Sequence, residues 1–476
     1  LHPSTSLLCC TEMARLDLLH PAILAFLLLG TLAGAQVPRS QTFRFVNQGK
    51  LQTQNAEYDA TYRPVVAESH NFFTHPFSLC FYNTTPDAGI LAIGAGVPND
   101  LSPVRWVWEA NRNRPVKESA LLSFRSDGNL VLLSEDGWPV WQTNTAGKGV
   151  TGIKLLADGN LVLHDAKGKF VWQSFDHPTD TLLIGQSLSV DGNRNVLVGR
   201  TSEADSSDGP YRMVLNRDGF TSYINRSGEL LPYGGWRGSY IGSRLTFRAV
   251  AEFDGRTPSE LVLSVNETQP GAQRRAGTGS PPRRLLQIPP TVDGSHIVLN
   301  KLTYGASRSF FRIGHDGNIR VYTYDDAVSS LRWRESFAYF SDYHVSECQL
   351  PEHCGGMGVC DGGMCVACPT ARGMQGWSRG CAAPAAPGCG GGSGNATGEY
   401  YEIAGVNHFL SPFAEEGRKE EVRLGECRER CSKNCTCLGF IHNREESRCL
   451  LLPFIGTLTI NHDPASVGYI KTTVPK

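Results

Sequence analysis

The stretch "DGNLVL" stands at 127–132 and again at 158–163, and a "VWQ" follows each copy, at 140–142 and at 171–173. Aligned on this pair, Asp127 lies over Asp158, Gly137 over Gly168 and Trp141 over Trp172, each 31 residues apart. An earlier "VWEAN" at 107–111 sits 33 residues before "VWQTN" at 140–144, so three units close on Val-Trp. Between these points "LLSF", "NLVLL", "PVWQT", "IKLL", "NLVLH" and "FVWQS" are short runs of β-formers separated by Gly, Asp and Asn. That is the pattern of an all-β sandwich or barrel. Three units of this kind predict a threefold β architecture around one core. Trp108, Trp141 and Trp172 are the side chains expected to fill it, since each buries a large area and needs only one partner for its indole N–H.

Further along, "GPYRMVLNRDGFTSYI" at 209–224 and "FFRIGHDGNIRVYTYD" at 310–325 repeat the style, with turn pairs at Asp218-Gly219 and Asp316-Gly317. A second, diverged copy of the first domain is therefore expected over about 190–340. The segment "NETQPGAQRRAGTGSPPRR" at 266–284 has turn formers and four arginines but no apolar period, and reads as an exposed disordered loop. At 476 residues, 40% hydrophobic and 19% charged, the chain has room for several globular domains. A formal charge of −1 gives no basis for steering towards nucleic acid or an anionic membrane.

Of 15 cysteines, Cys9 and Cys10 come early, Cys80 stands alone, and the rest crowd into 348–449. Cys348, Cys354, Cys360, Cys365, Cys368 and Cys381 define a module of about 35 residues, too small to build a core without staples. After a linker rich in Gly, Ala and Pro come Cys389, Cys427, Cys431, Cys435, Cys437 and Cys449, with "RLGECRERCSKNCTC" at 423–437 reading as an amphipathic helix that runs into an extended Cys-x-Cys. Cys80 is expected to point into the core of an apolar strand rather than to bridge two chains.

The amino-terminal run "AILAFLLLGTLAGA" at 22–35, preceded by Arg15 and ending in Ala33-Gly34-Ala35, reads as a signal peptide over 13–35. Residues 1–12 are expected to be an upstream extension and Gln36 the mature start. No later run approaches the length of a membrane span. Sequons at Asn83, Asn225, Asn266, Asn395 and Asn434 agree with an exported glycoprotein. Behind a signal peptide, Cys365-x-x-Cys368 reads as disulfide-forming rather than as a zinc or redox pair. "GWSRG" at 376–380 matches a hydrolase elbow only by chance, with no strand expected before it and no room for a helix after it. No acid/base pair, metal motif or phosphate loop is present, so no enzyme, metal or cofactor is expected.

The stretch "VWQSFDHPTDTLLIGQSL" at 171–188 resembles the closing segment of the bulb-type mannose-binding lectin domain in plant S-domain proteins, the S-locus glycoproteins and their receptor-kinase relatives. "QTFRFVNQG" at 41–49, "PFSLCFYNTTP" at 76–86 and "WVWEANRNRPV" at 106–116 look closer still to the epidermis-specific secreted glycoproteins of plants. The resemblance covers nearly all of 41–476. It implies a mainly β fold: a bulb-type lectin (β-prism II) domain over 41–188, a second, diverged lectin-like domain over 189–343, an EGF-like module over 344–382, a linker at 383–398 and a PAN/apple α+β domain over 399–476. It also implies pairing of Cys427 with Cys449, Cys431 with Cys437 and Cys389 with Cys435, and leaves the EGF-like pairing open.

In that family the mannose site is written Gln-x-Asp-x-Asn-x-Val-x-Tyr, a fixed set of donors and acceptors for vicinal hydroxyls with an apolar support. The first copy here reads Arg125, Asp127, Asn129, Val131 and Leu133; the second reads Leu156, Asp158, Asn160, Val162 and His164. Both keep Asp, Asn and Val and lack Gln and Tyr. Arg125 could contact a hydroxyl or an acidic sugar, and His164 could replace the Tyr hydroxyl. A third trace is Gly314, Asp316, Asn318, Arg320 and Tyr322. Against this stands a plainer reading, in which Asp-Gly-Asn is retained for the turn alone, because Gly and Asn tolerate positive φ there. The functional expectation is a non-catalytic lectin in the extracellular space, apoplast or cell wall, with glycans or glycoproteins as partners and avidity from several sites or a homodimer. The alternative is a protein-binding or structural wall glycoprotein that uses its PAN module as the interface.

Overall fold

Each "DGN" copy folds as a hairpin turn in which the Asp carboxylate replaces a missing backbone partner. Asp127 Oδ1 accepts the Asn129 N–H at 2.9 Å, Gly128 N–H donates to the Arg125 carbonyl at 3.0 Å, and Arg125 N–H donates to the Asn129 carbonyl at 2.9 Å. This is a type I turn closed by a left-handed residue. Gly128 and Gly159 take that position with φ of +87° and +86°. The expectation that Asn shares the positive φ is corrected: neither Asn129 nor Asn160 has one. One left-handed residue closes the turn, and Gly already supplies it.

The computed structural model describes residues 36–472 except 54, 98–101, 193, 218, 238–241, 252–257, 268–295, 329–330, 342–344, 384–398 and 415–420. The extension at 1–12, the signal segment at 13–35, most of the loop at 266–284 and all but the first residue of the linker lie outside the described residues.

Three antiparallel sheets form the first prism. Sheet I contains Phe43–Val46, Leu121–Phe124, Leu130–Leu133 and Pro139–Gln142. Sheet II contains Gly152–Leu155, Leu161–His164 and Phe170–Gln173. Sheet III contains Thr61–Pro64, Phe77–Asn83, Ile90–Ala95 and Arg105–Glu109, with Phe73–Thr74 at its side. Because strands alternate faces, Leu130 and Leu132, Leu161 and Leu163, and Leu91 and Ile93 all point to one shared core. Trp108, Trp141 and Trp172, one per sheet, meet edge to face with centroids 5.8, 6.0 and 5.8 Å apart and interplanar angles of 73°, 71° and 75°. Each such contact adds about 0.5–1.5 kcal/mol to simple burial. The Trp108 indole donates to the His177 carbonyl at 2.9 Å.

A second prism follows, with four strands in each of its sheets. Sheet IV contains Thr181–Leu183, Ser309–Ile313, Ile319–Tyr324 and Trp333–Ala338. Sheet V contains Ser187–Ser189, Gly242–Ala251, Pro258–Glu267 and His296–Lys301. Sheet VI contains Val196–Arg200, Asp208–Asn216, Gly219–Arg226 and Glu229–Arg237. The segment 181–200 thus supplies one edge strand to each of the three sheets, and the division expected at 188/189 falls inside the second of these strands. All three short strands pair in register with strands of the second prism.

The carboxy-terminal part is stapled by Cys348–Cys360, Cys354–Cys365, Cys368–Cys381, Cys427–Cys449 and Cys431–Cys437. Cys435 is also disulfide-bonded, while Cys389 lies outside the described residues. The six-cysteine module and the segment after it share one sheet, because Met357–Cys360 pairs in parallel with Gly456–Thr459. Helix Leu424–Lys433 buries Cys427 and Cys431 against the neighbouring sheet and faces solvent with the pairs Glu426–Arg430 and Glu429–Lys433. Among the described residues no helix is long and apolar enough to cross a membrane.

Candidate functional site

Asn129 and Asn160 stand on the outer faces of sheets I and II, and in both the side chain is bonded through its nitrogen and its oxygen. Asn129 Nδ2 donates to Gln142 Oε1 at 2.9 Å, and its Oδ1 accepts the Thr143 hydroxyl at 3.0 Å and the Thr145 N–H at 3.1 Å. Asn160 Nδ2 donates to Gln173 Oε1 at 2.9 Å, and its Oδ1 accepts the Ser174 hydroxyl and the Phe175 N–H, each at 3.2 Å. The repeated "DGN" and the repeated "VWQ" are therefore joined by the same Asn–Gln bond. The next residue of each inner strand is held likewise, with Leu130 N–H on Thr143 Oγ1 at 3.1 Å and Leu161 N–H on Ser174 Oγ at 3.0 Å.

Around each bond lies a small polar patch. Asp127 and Asp158 are exposed, with one carboxylate oxygen used in the turn. Gln142 is exposed and sits across from Val131; Gln173 sits across from Val162 and donates to Asp176 Oδ2 at 3.2 Å, which in turn pairs with Arg194. Val131 and Val162 are each 1% exposed, so neither offers an open apolar support to a ring. Arg125 is exposed at the start of its turn. His164 is half-buried over Gly152, where an added Cβ would come within 2.7 Å of the imidazole, and its Nδ1 lies 3.0 Å from the Asp165 carbonyl. The glutamines escaped the sequence reading because they come from the adjacent strand. Their repeated position after Val-Trp was the available signal.

The third trace is closed by its own chain. Arg320 binds both oxygens of Asp316 at 3.0 and 2.6 Å, Asn318 exchanges two hydrogen bonds with the Phe340 backbone, and the Arg105 guanidinium lies 4.5 Å above Tyr322. The Asp and Arg of this trace are thus spent on each other, and the face of its Tyr is covered by Arg105.

Sheet III carries the third unit in altered form. In register, Ile90, Ala92 and Glu109 take the places of Asn129, Val131 and Gln142, and Asn111 caps the Leu91 N–H at 2.8 Å. Its outer face is covered by the second prism. Glu57 meets Arg312 at 2.7 Å and Arg105 at 2.8 Å, while Glu109 pairs with Arg112 at 3.4 Å and accepts the Tyr82 hydroxyl. Arg112 reaches Asp180 at 3.8 Å, and Arg200 lies 4.0 Å from Glu109. Burial opposes the ionisation of Glu57, yet the Arg312 and Arg105 guanidiniums outweigh it and hold its carboxyl below the ordinary range. For Glu109 burial wins over Arg112 and raises the value. Cys80 is fully buried here, on the outer side of sheet III rather than in the threefold core, and burial pushes its thiol up to about 12. It is free in the structure.

The remaining sites are local. Asn434 is exposed after the helix, with Oδ1 accepting the Thr436 N–H at 2.9 Å and hydroxyl at 2.8 Å. Asn225 Oδ1 accepts the Gly228 N–H at 3.1 Å, and Asn83 is half-buried at the end of its strand. Asn266 lies on Pro258–Glu267, its side chain outside the described residues, as is all of Asn395. "GWSRG" does follow a short strand, Gly373–Gly376, but the chain then turns to Cys381 without a helix, and the Trp377 indole is bound to the Cys354 carbonyl.

Residues 105–203 match the family model described as D-mannose binding lectin, and residues 389–452 match a PAN-like domain. A solved monomeric mannose-binding lectin from Gastrodia elata is similar over 28% of this chain and 96% of its own, at 20% identity and a TM-score of 0.16. The epidermis-specific secreted glycoprotein EP1 of Daucus carota is 40% identical over 74% of this chain and 90% of its own. EP1-like glycoprotein 2 of Arabidopsis thaliana is 48% identical over 92% of this chain and 95% of its own. With a lectin-type β fold, a PAN-like end and identity of this extent, the chain belongs to the family of the EP1-like glycoproteins.

Proposed function

We propose that the chain is a secreted, non-catalytic lectin of the cell wall or apoplast, which binds mannose-type glycans through the outer faces of sheets I and II. The observation that carries this reading is the duplicated set Asp127, Asn129, Gln142 and Asp158, Asn160, Gln173. In each set an aspartate and a glutamine flank one asparagine, whose backbone N–H donates to the aspartate and whose side-chain amide donates to the glutamine. Such groups suit vicinal hydroxyls. The glutamine absent from the linear motif is thus replaced by one from the next strand. Export is supported by the apolar run at 22–35, the sequons and the disulfides. Two shallow sites on one chain, or four in a homodimer, would gain through multivalency what each lacks alone.

A glycan array probed with the full glycosylated chain tests this. Binding to mannose-type glycans should fall at least roughly tenfold in Gln142→Ala with Gln173→Ala, and equally in Asp127→Ala with Asp158→Ala. No binding by the wild type, or binding untouched by both pairs, defeats the reading. A second reading is favoured by one observation: Met364, Met374 and Val366 are 68%, 53% and 42% exposed on the cysteine-rich module. Exposed apolar groups of this kind mark protein interfaces. Met364→Ser with Met374→Ser should then abolish capture of a protein partner while leaving the glycan array unchanged.

A further inference from the structure

The outer faces of the second prism are not alike. Sheet IV turns Arg312 to the first prism, and sheet V turns Ser187, Thr246, Ser264, Arg244 and Arg248 outward, as a sheet half in water should. Sheet VI breaks that alternation. Its register sets Val196 beside Val214 in one row, and Val198, Arg212, Tyr223 and Pro232 across all four strands in the next. Their chain neighbours Leu197, Met213, Ile224 and Leu231 fill the core, so both rows point away from it. The six side chains are half-buried and belong to neither prism's core, and Leu230, 42% exposed, extends the apolar surface. In the middle stands Arg212, whose guanidinium has no hydrogen bond and no ion pair among the described residues. Neither row offers it a carboxylate. Asp208, four residues along the same strand, is taken by Asn113 at 2.9 Å and Arg112 at 3.5 Å.

Charge and size together choose the occupant. A cation drawn part-way out of water is stabilised by a counter-charge, and this face has none of its own, so its ligand is an anion. The four strands span about 14 Å, and Pro210 to Val214 about 13 Å, which makes the face on the order of 200 Å². A stable protein interface takes about 800 Å² from each partner. A second copy is disfavoured further, because a twofold contact through this face sets two unpaired Arg212 side chains side by side. A chain of a few sugars fits both the span and the ring-bearing row. We propose that sheet VI binds an acidic oligosaccharide built of uronic acids. Arg212 pairs with a sugar carboxylate, and the rings of Tyr223 and Pro232 carry the apolar face of the next sugar. The proposal goes beyond the sites on sheets I and II and does not rest on them.

The test titrates the full chain, by calorimetry at low salt, with a linear trimer of galacturonic acid and with the same trimer methyl-esterified. The acid form should bind, and the ester, its charge removed, at least roughly tenfold more weakly. Arg212→Gln should weaken the acid form at least roughly tenfold, while Arg212→Lys keeps part of the binding and Gln142→Ala with Gln173→Ala keeps all of it. Tyr223→Ala should weaken both forms. Should Arg212→Gln misfold, hydrogen exchange on the wild type decides: the bound trimer should slow exchange in 210–214 and 221–225 and leave 129–142 and 160–173 unchanged. No binding of the acid form, equal binding of the ester, or an Arg212→Gln variant that binds like the wild type overturns the proposal. Slowing confined to 129–142 and 160–173 overturns it too, since the trimer then sits on sheets I and II. So does a dimer in sedimentation that Leu230→Ser breaks and the trimer does not, which gives the face to a second copy.

Discussion

Sheets I and II leave Asp127, Asp158 and Gln142 exposed beside the outer faces of their hairpins, while sheet III turns the equivalent face to the second prism. The inner faces barely differ: each offers two apolar residues from the middle strand and one Trp to the same core. The outer faces share a register and little else. Where sheets I and II place Asn, Val and Gln, sheet III places Ile90, Ala92 and Glu109, adds Cys80, Tyr82 and Trp106, and is sealed by Arg112, Arg200 and Arg312. A neutral amide serves where water can complete its bonds. A carboxylate taken out of water needs a guanidinium, and the second prism supplies two of the three. The comparison teaches that the repeat specifies a core, and that each outer face is free to become either a site or a joint.

The largest effect should come from breaking the joint. Arg312→Ala leaves Glu57 buried with only Arg105 beside it and should cost about 3–5 kcal/mol in a denaturant titration. A loss under about 1 kcal/mol would mean that the sealed face does not depend on its charges. Next comes Asn129→Ala, which strips the Thr145 N–H and the Thr143 hydroxyl of an acceptor and should cost about 1–3 kcal/mol. Asn160→Ala should match it within error, because the bonds are the same; a large disagreement would break the equivalence of sheets I and II.

The acid response sharpens the contrast further. The folded-state value of Glu57 is depressed below 4.5, so its ionised form adds stability that is present above pH 4.5 and lost as pH falls through the depressed value. The stability gap between wild type and Glu57→Gln should therefore be widest above pH 4.5 and close in acid. A gap that widens in acid would reverse the assigned direction. The smallest effect belongs to the open face: Gln142→Ala should change stability by no more than about 0.5 kcal/mol, since water can take the place of its amide. A loss as large as that of Asn129→Ala would make Gln142 structural and weaken the sugar-site proposal.

Much of this was legible along the chain. The 31-residue spacing, the Gly in each turn, the three tryptophans and the crowding of cysteines after 348 are local or periodic facts, and periodicity survives folding because each unit feeds one shared core. Three matters were not legible. Asn129 reads as a turn residue, yet its side chain ties two strands together; Gln142 lies 13 residues away and meets it only through strand register. The segment 181–188 reads as the end of the first domain, yet it pairs with residues as distant as Arg312. Glu109 occupies the position of Gln142, and nothing near it in sequence tells that a second prism will exclude water from it. Sequence by itself determined which faces turn inward, because alternation and turn geometry act over a few residues. Only the tertiary structure decided which outer faces stay open, because that depends on which distant surface removes the water.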